Sequence, residues 1–322
     1  MRRLYTWWQQ LDPLARLRLG IVAALLVVGM VVALAGIALS GDWTSILLNL
    51  GSELIGAGIT FLLIDQLLGQ RERQADEERA TASSKADLIA RLGSNVRNFA
   101  VAAAEELRRR GWLSDGSLQG VSLMTADLQG APLAHAQLTR VNLSDANLQQ
   151  ADLGRAVLAE ASLDGTNLYG AYMLAVDLQR ASLIRATLGG ADLREANLQQ
   201  AEMVMADLRH TRLTRADLRG AVLSTADLRE ANLQQADLRH AYGREADLRG
   251  ADLQGAILQD ARFDAAQMDE HTVLPDGTRW VIGRRLDEFT GTDDLVTRNG
   301  QGSLAAPDLL ETLLQAHEHP FD

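Results

Sequence analysis

The sequence predicts an all-β solenoid of short stacked coils over residues 114–268, preceded by a two-helix transmembrane hairpin and a helical linker. Three observations lead there. Counting from Leu118 in steps of five gives 31 positions, of which 26 are Leu; Met173, Met203, Gly243, Phe263 and Met268 fill the rest. Two residues before each stands a small residue, Ala in 25 of the 31, as in Ala126-Asp127-Leu128 and Ala216-Asp217-Leu218. Upstream, Leu19 to Leu39 is an uncharged run of 21 residues, and a second apolar run follows at once.

A period of five fits neither a helix, whose apolar face falls at i, i+3, i+4 and i+7, nor a strand, which alternates. An unbroken short period describes identical coils, each burying the next. Positions i−2 and i lie on one side of an extended segment and point inward. Ala suits i−2 because two large inward side chains so near a corner would collide. Asp and Asn suit the corners because their side chains bond nearby backbone N–H groups.

Tandem A(D/N)LXX units such as Ala231-Asn232-Leu233-Gln234-Gln235 resemble the pentapeptide-repeat family. The resemblance covers roughly half the chain. It implies a right-handed quadrilateral β-helix with four units per coil, so the 31 units make between seven and eight coils. At the ~4.8 Å spacing of neighbouring strands the rod is ~37 Å long. Leu128, Leu148, Leu168, Leu188, Leu208, Leu228 and Leu248 then form one inward column of the structural core.

Gly243 interrupts the rule, with Tyr242 beside it. A missing Leu leaves a cavity costing ~3–5 kcal/mol if nothing fills it. On a 20-residue coil Met203, Leu223, Gly243 and Phe263 share a column, and Phe263 can lean into the gap. Compensation of this kind is the favoured reading. The competing one is a notch that binds a ligand.

Residues 1–18 form a basic N-terminal segment with Arg2, Arg3, Arg16 and Arg18. At 1.5 Å per residue, the apolar run 19–39 reaches ~31 Å, a full bilayer crossing. Ala33-Leu34-Ala35 resembles a signal-peptide cleavage site, but the run is too long for one. Residues 46–68 read as a second crossing. Arg71, Arg73, Arg79 and Lys85 follow it, and the intervening loop has no Lys or Arg. Both termini are therefore expected in the cytoplasm of a bacterial cell, and the chain in its inner membrane. Leu50-Gly51-Ser52-Glu53-Leu54-Ile55-Gly56 is similar to a two-helix module of bacterial membrane proteins.

Glu53 is an ionisable group inside that second run, with Asn49 on the same face. Such a group faces protein or water. One reading is an ion or proton path in an oligomer. The favoured one is a protonated Glu bonded to Asn49 or to a partner helix. Ser52, Gly56 and Thr60 form a small-xxx-small stripe suited to close helix approach.

Residues 69–113 read as a helical linker and N-terminal cap, broken at Gly93-Ser94, with Ile89, Leu92, Val96, Phe99 and Ala103 as an apolar seam. Beyond the repeats, 269–322 read as a C-terminal cap and acidic tail. Pro275-Asp276-Gly277 marks a turn, Leu274 and Trp280 cover the last coil, and Ala306 to Ala316 forms a short helix.

Several functions are excluded. The formal net charge of −11 argues against a general nucleic-acid binder. Without cysteine there is neither a disulfide framework nor a thiolate metal site. No phosphate loop, nucleophile elbow or His cluster is present, and His317-Glu318-His319 reads as solvated. No catalytic residue, cofactor or metal is expected. Some members of the family bind DNA gyrase by imitating duplex DNA. From Ser117 to Met268 there are 19 Asp or Glu against 14 Arg, a net of −5. Duplex DNA of the same length carries ~22 charges. Asp207, Asp227 and Asp247, with Arg209, Arg229 and Arg249, read instead as columns of solvated ion pairs.

The leading expectation is a membrane-anchored, non-enzymatic protein–protein interaction scaffold. Its partner is an unidentified protein, and self-association would run through the membrane helices or the linker. The rivals are an oligomeric ion pathway or membrane sensor using Glu53, and a DNA-mimic topoisomerase-binding protein.

Overall fold

The computed structural model describes residues 13–38, 43–284 and 286–291. Much of the basic N-terminal segment, the start of the inter-helix loop, the tail helix 306–316 and His317-Glu318-His319 lie outside the described residues. The elements are α1 (Pro13–Ala38), α2 (Trp43–Leu92), α3 (Arg97–Arg109), the coils that follow, and a 3-10 turn at Leu286–Phe289. The chain divides into two compact units, Met1–Ser84 and Lys85–Asp322.

In the first unit, α1 and the first half of α2 pack antiparallel. Gly29 lies against Gly51, Leu54 and Ile55, and Gly58 against Leu25 and Leu26. A Cβ added at Gly29 would sit 3.0 Å from Ile55 Cγ1 and 3.1 Å from the Gly51 carbonyl oxygen, so the backbones approach closely at these glycines. Ser52, Gly56 and Thr60 are exposed, and nothing lies within 4 Å of a Cβ added at Gly56. The hairpin thus uses Gly29, Gly51 and Gly58, while the small-residue stripe stays open. Among the described residues, α2 from Asn49 contains a stretch long and apolar enough to cross a membrane, and Gly20–Val32 is a shorter apolar stretch.

In the second unit, parallel bridges link residues 20 apart, from Ser122↔Asn142 to Asp247↔Gln267. Each coil is therefore 20 residues, or four pentapeptides. Three backbone bonds per pentapeptide cross to a neighbouring coil. Around Leu128 they are Leu128 N–H to Asn147 O (2.8 Å), Asn147 N–H to Ala126 O (2.9 Å) and Gly130 N–H to Gln149 O (2.9 Å). The corner is closed by Ala131 N–H to Leu128 O at 2.9 Å. Every fifth residue from Gly120 to Ala265 has positive φ, and the non-glycine ones lie between 52° and 61°. Asp and Asn at i−1 brace these corners by accepting the N–H of i+1, as Asn142 does from Ser144 (3.0 Å) and Asp152 from Gly154 (3.1 Å).

The first coil has no predecessor to take its outward N–H groups. Ser94 O accepts Asp127 N–H (2.9 Å) and Leu113 O accepts Gln137 N–H (2.8 Å). At the equivalent place on another side stands Pro132, which has no N–H to satisfy. Leu92, Ala100, Ala103, Ala104, Leu107 and Leu113 join the apolar core of the coils. Val96 and Phe99 do not, because the break at Gly93-Ser94 restarts the helix in a new phase and turns both outward. The only lysine, Lys85, pairs with Asp115 at 2.6 Å and lies over the Trp112 ring at 5.0 Å, as Arg110 does at 4.8 Å. Partial burial opposes ionisation of Asp115, yet hydrogen bonds from Lys85 and Ser117 hold it down at about 2.

At the other end the register lengthens by one residue, Asp252 bridging Val273. The chain then turns at Pro275-Asp276-Gly277, and Val273 pairs antiparallel with Arg279. Leu274 and Leu286 are buried, and Trp280 packs on the core with Nε1 donating to Arg284 O at 2.8 Å. The Thr278 hydroxyl and N–H, with Arg284 at 2.7 Å, hold Asp276 at about 2.

Candidate interaction surface

The interior of the rod holds no reactive chemistry. Leu128, Leu148, Leu168, Leu188, Leu208, Leu228 and Leu248 are each at most 1% exposed. The buried hydroxyls of Thr166, Thr211 and Thr272 donate to the carbonyls of Leu143 (2.7 Å), Leu208 (2.7 Å) and Leu248 (2.9 Å). At Gly243 an added Cβ would lie 2.2 Å from Phe263 Cε1 and 2.3 Å from Cδ1. The Phe263 ring therefore occupies the space of the missing side chain, and Tyr242 projects outward beside it. Among the described residues no group of three or more His, Asp or Glu could hold a metal ion.

What the rod offers is its four outer faces. We number them by the inward residue: the first carries Leu118 to Leu258, the second Leu123 to Phe263, the third Leu128 to Met268, and the fourth Leu133 to Leu253.

The third face carries the expected columns. Arg209, Arg229 and Arg249 bind Asp207, Asp227 and Asp247 in two-pronged fashion, with Nη2–Oδ2 distances of 2.7, 2.6 and 2.5 Å. Arg209 and Arg229 also reach the Asp of the next coil at 3.6 Å, so each column fastens coil to coil. The first face repeats this with Asp217–Arg219 (2.7 Å) and Asp237–Arg239 (2.5 Å). On the fourth, Arg194 and Arg212 share Asp192 at 2.6 and 3.6 Å. The arginine hydrogen bonds hold Asp192, Asp207, Asp237 and Asp247 below the usual carboxylate range, against a partial desolvation that works the other way. His210 approaches Glu230 at 3.2 Å and His240 approaches Asp260 at 3.8 Å, on corners of the third and first faces.

The second face differs. Its outward column in the later coils runs Ser182, Glu202, Val222, Tyr242 and Arg262. The next position runs Ile184, Val204, Ser224 and Arg244, the first three buried. Met205 and Tyr242 are 41% and 43% exposed. Sequence reasoning missed this face because it followed the recurring Asp–Arg pairs. Reading every twentieth residue from Ser182 would have found it.

Glu53 and Asn49 are both exposed on α2, beside the open Ser52–Gly56–Thr60 stripe. The Ser52 hydroxyl donates to Asn49 O and the Thr60 hydroxyl to Gly56 O, both at 2.8 Å.

Eight copies of the family model described as Pentapeptide repeats match, over residues 113–145, 136–173, 177–215, 206–242 and 246–270. Among solved structures, the chain is 36% identical to Rfr23, a pentapeptide repeat protein from the cyanobacterium Cyanothece 51142. That match covers 30% of this chain and 62% of Rfr23, less than two thirds of its length, with a TM-score of 0.19. The chain is 28% identical to HetL, a pentapeptide repeat protein involved in heterocyst differentiation regulation in Nostoc sp. strain PCC 7120. There the match covers 55% of this chain and 98% of HetL, with a TM-score of 0.18. A third similar structure is QnrB1, a plasmid-mediated fluoroquinolone resistance protein, at 17% identity, covering 48% of this chain and 84% of QnrB1, with a TM-score of 0.24. No curated protein matches the chain.

Proposed function

This chain belongs to the pentapeptide-repeat family, and we propose that it is a membrane-anchored, non-enzymatic scaffold that presents its rod to other proteins in the cytoplasm. The supporting observation is the outward apolar surface of the first unit. Val27, Val28, Met30, Val31, Leu34, Ile59, Leu63, Ile64, Leu67 and Leu68 are all more than half exposed. Water disfavours a patch of this size, and lipid favours it. Arg71, Arg73 and Arg79 follow the apolar part of α2, which favours a cytoplasmic start for the rod. The rod supplies flat outer faces, which suit binding to other proteins. Paired Asp and Arg columns neutralise one another and argue against duplex mimicry.

The test uses the full chain and its lack of native cysteine. Wild type is expected in the membrane fraction after alkaline carbonate washing, and a Leu62→Arg/Leu63→Arg/Leu67→Arg variant is expected to be released. A Gln129→Cys chain should react with a membrane-impermeant maleimide only in opened cells. Release of the wild type would remove the anchor, and labelling in intact cells would remove the cytoplasmic placement.

A further inference from the structure

The four faces of the rod differ in how their charges are satisfied. On the first, third and fourth faces of the later coils, Asp at one position is held by Arg two residues on. On the second face Arg185, Glu202, Arg262 and Asp264 have no ion pair within the described residues. They flank Met205, Val222 and Tyr242, which present an apolar strip between them. Unpaired charges of both signs around apolar residues make a surface complementary to itself.

We propose that two copies of this chain pair side by side, second face against second face, with the rods parallel. A twofold axis along the rods brings each coil opposite its equivalent and exchanges the two sides of the face. Arg262 then meets Asp264 of the other copy, and Arg244 meets the Tyr242 ring as a cation–π pair. Glu202 comes within reach of Arg185 of the other copy one coil away. Val222 lies within the contact, and Met205 covers its edge at the corner of the face. All four unpaired charges gain a partner, each twice by symmetry. An antiparallel arrangement centred on Val222 sets Arg262 against Ser182 and leaves it unpaired. On the other faces several aspartates of the later coils are already held by an arginine of the same face, as at Asp192, Asp207 and Asp217.

The contact is small. Five coils give a strip ~24 Å tall and ~10 Å wide, far below the ~800 Å² per partner of a standard stable interface. Pairing is therefore weak and needs a high local concentration.

The experiment traps it in the purified full-length chain, in detergent and in lipid nanodiscs. Val222→Cys places one thiol in the second face of a protein that has no other. Thr187→Cys on the third face and Asn197→Cys on the first are matched controls. With a short bis-maleimide, covalent dimer is expected from Val222→Cys and not from either control. Adding Glu202→Arg should abolish it, and Glu202→Arg with Arg185→Glu should restore it, which separates lost pairing from lost folding. Equal trapping at all three positions would mean that the copies meet elsewhere, and would overturn the proposal. So would no trapping at Val222→Cys, or trapping that charge reversal leaves unchanged. The outcome does not depend on whether the first unit spans a membrane, so it stands or falls separately from the anchoring reading.

Discussion

Leucine serves opposite ends in the two units. In the rod the recurring Leu is sealed inside, as at Leu188, which is 0% exposed. In the helix pair Leu faces out, as at Leu63, which is 55% exposed. The rod makes its own apolar environment, one coil supplying it to the next, and needs only water outside. The helix pair has a narrow seam of glycines and little interior, so its stability depends on the medium around it. On the proposed anchoring, two units of one chain have different solvents as part of their structure.

The largest effect that tests this contrast comes from deleting leucine in each. Leu188→Ala should cost the rod ~3–5 kcal/mol, because both neighbouring coils hold the cavity open. Leu63→Ala should leave unfolding of the rod unchanged. Chemical denaturation of the full chain, followed by circular dichroism, reads both. A Leu188→Ala cost below that of Leu63→Ala would dissolve the distinction between the units.

Glycine gives the next test, because each unit contains one that is crowded. Gly243→Leu would drive a side chain into the Phe263 ring, and overpacking of this kind costs ~1–3 kcal/mol. Gly243→Leu with Phe263→Leu restores the regular column and should recover most of the loss. Gly29→Leu should disturb the hairpin and leave the thermal midpoint of the rod where it was. If Gly243→Leu stabilises the rod, Phe263 is not filling the gap.

The two units were also unequally legible in the sequence. The period of five shows which side chains enter the rod, because positions i−2 and i of each unit point inward. Its corners were less visible. Thr225 and Glu245 sit at positive φ with nothing in their chemistry to announce it; the repeat geometry imposes the conformation. In the helix pair, Ser52, Gly56 and Thr60 stood out as small residues, yet the helices meet at Gly29, Gly51 and Gly58. A helix apolar on every side carries no period that marks its packed face. The caps lay between these extremes. Leu92 and Ala103 were readable as apolar seam, but one break in the helix moved Val96 and Phe99 out of it. Lys85 stood in the sequence only as one of the positive charges after the second apolar run, and it pins the start of the rod through Asp115 and Trp112.

The smallest expected effect concerns charge, and it too separates the units. Asp192, Asp207, Asp237 and Asp247 are held below their ordinary value by arginine. A depressed folded value means that their stabilisation is complete above the unfolded value near ~3.9 and is lost as the pH falls through the folded one. The thermal midpoint of the rod should therefore be level from pH 7 to 5 and drop below pH 4. The drop should be modest, since partly exposed pairs contribute ~0.2–1 kcal/mol each. Arg229→Gln frees Asp247 from the neighbouring coil, and should lower the midpoint slightly at pH 7 and hardly at all in acid, which shrinks the acid drop. High salt at pH 7 should mimic acid in the wild type and do less in Arg229→Gln. The uncharged run from Leu19 to Leu39 has nothing to titrate, so helical signal from α1 should persist through the same range. A rod whose midpoint ignores both acid and salt would mean that its columns are decoration on a core that needs no fastening between coils.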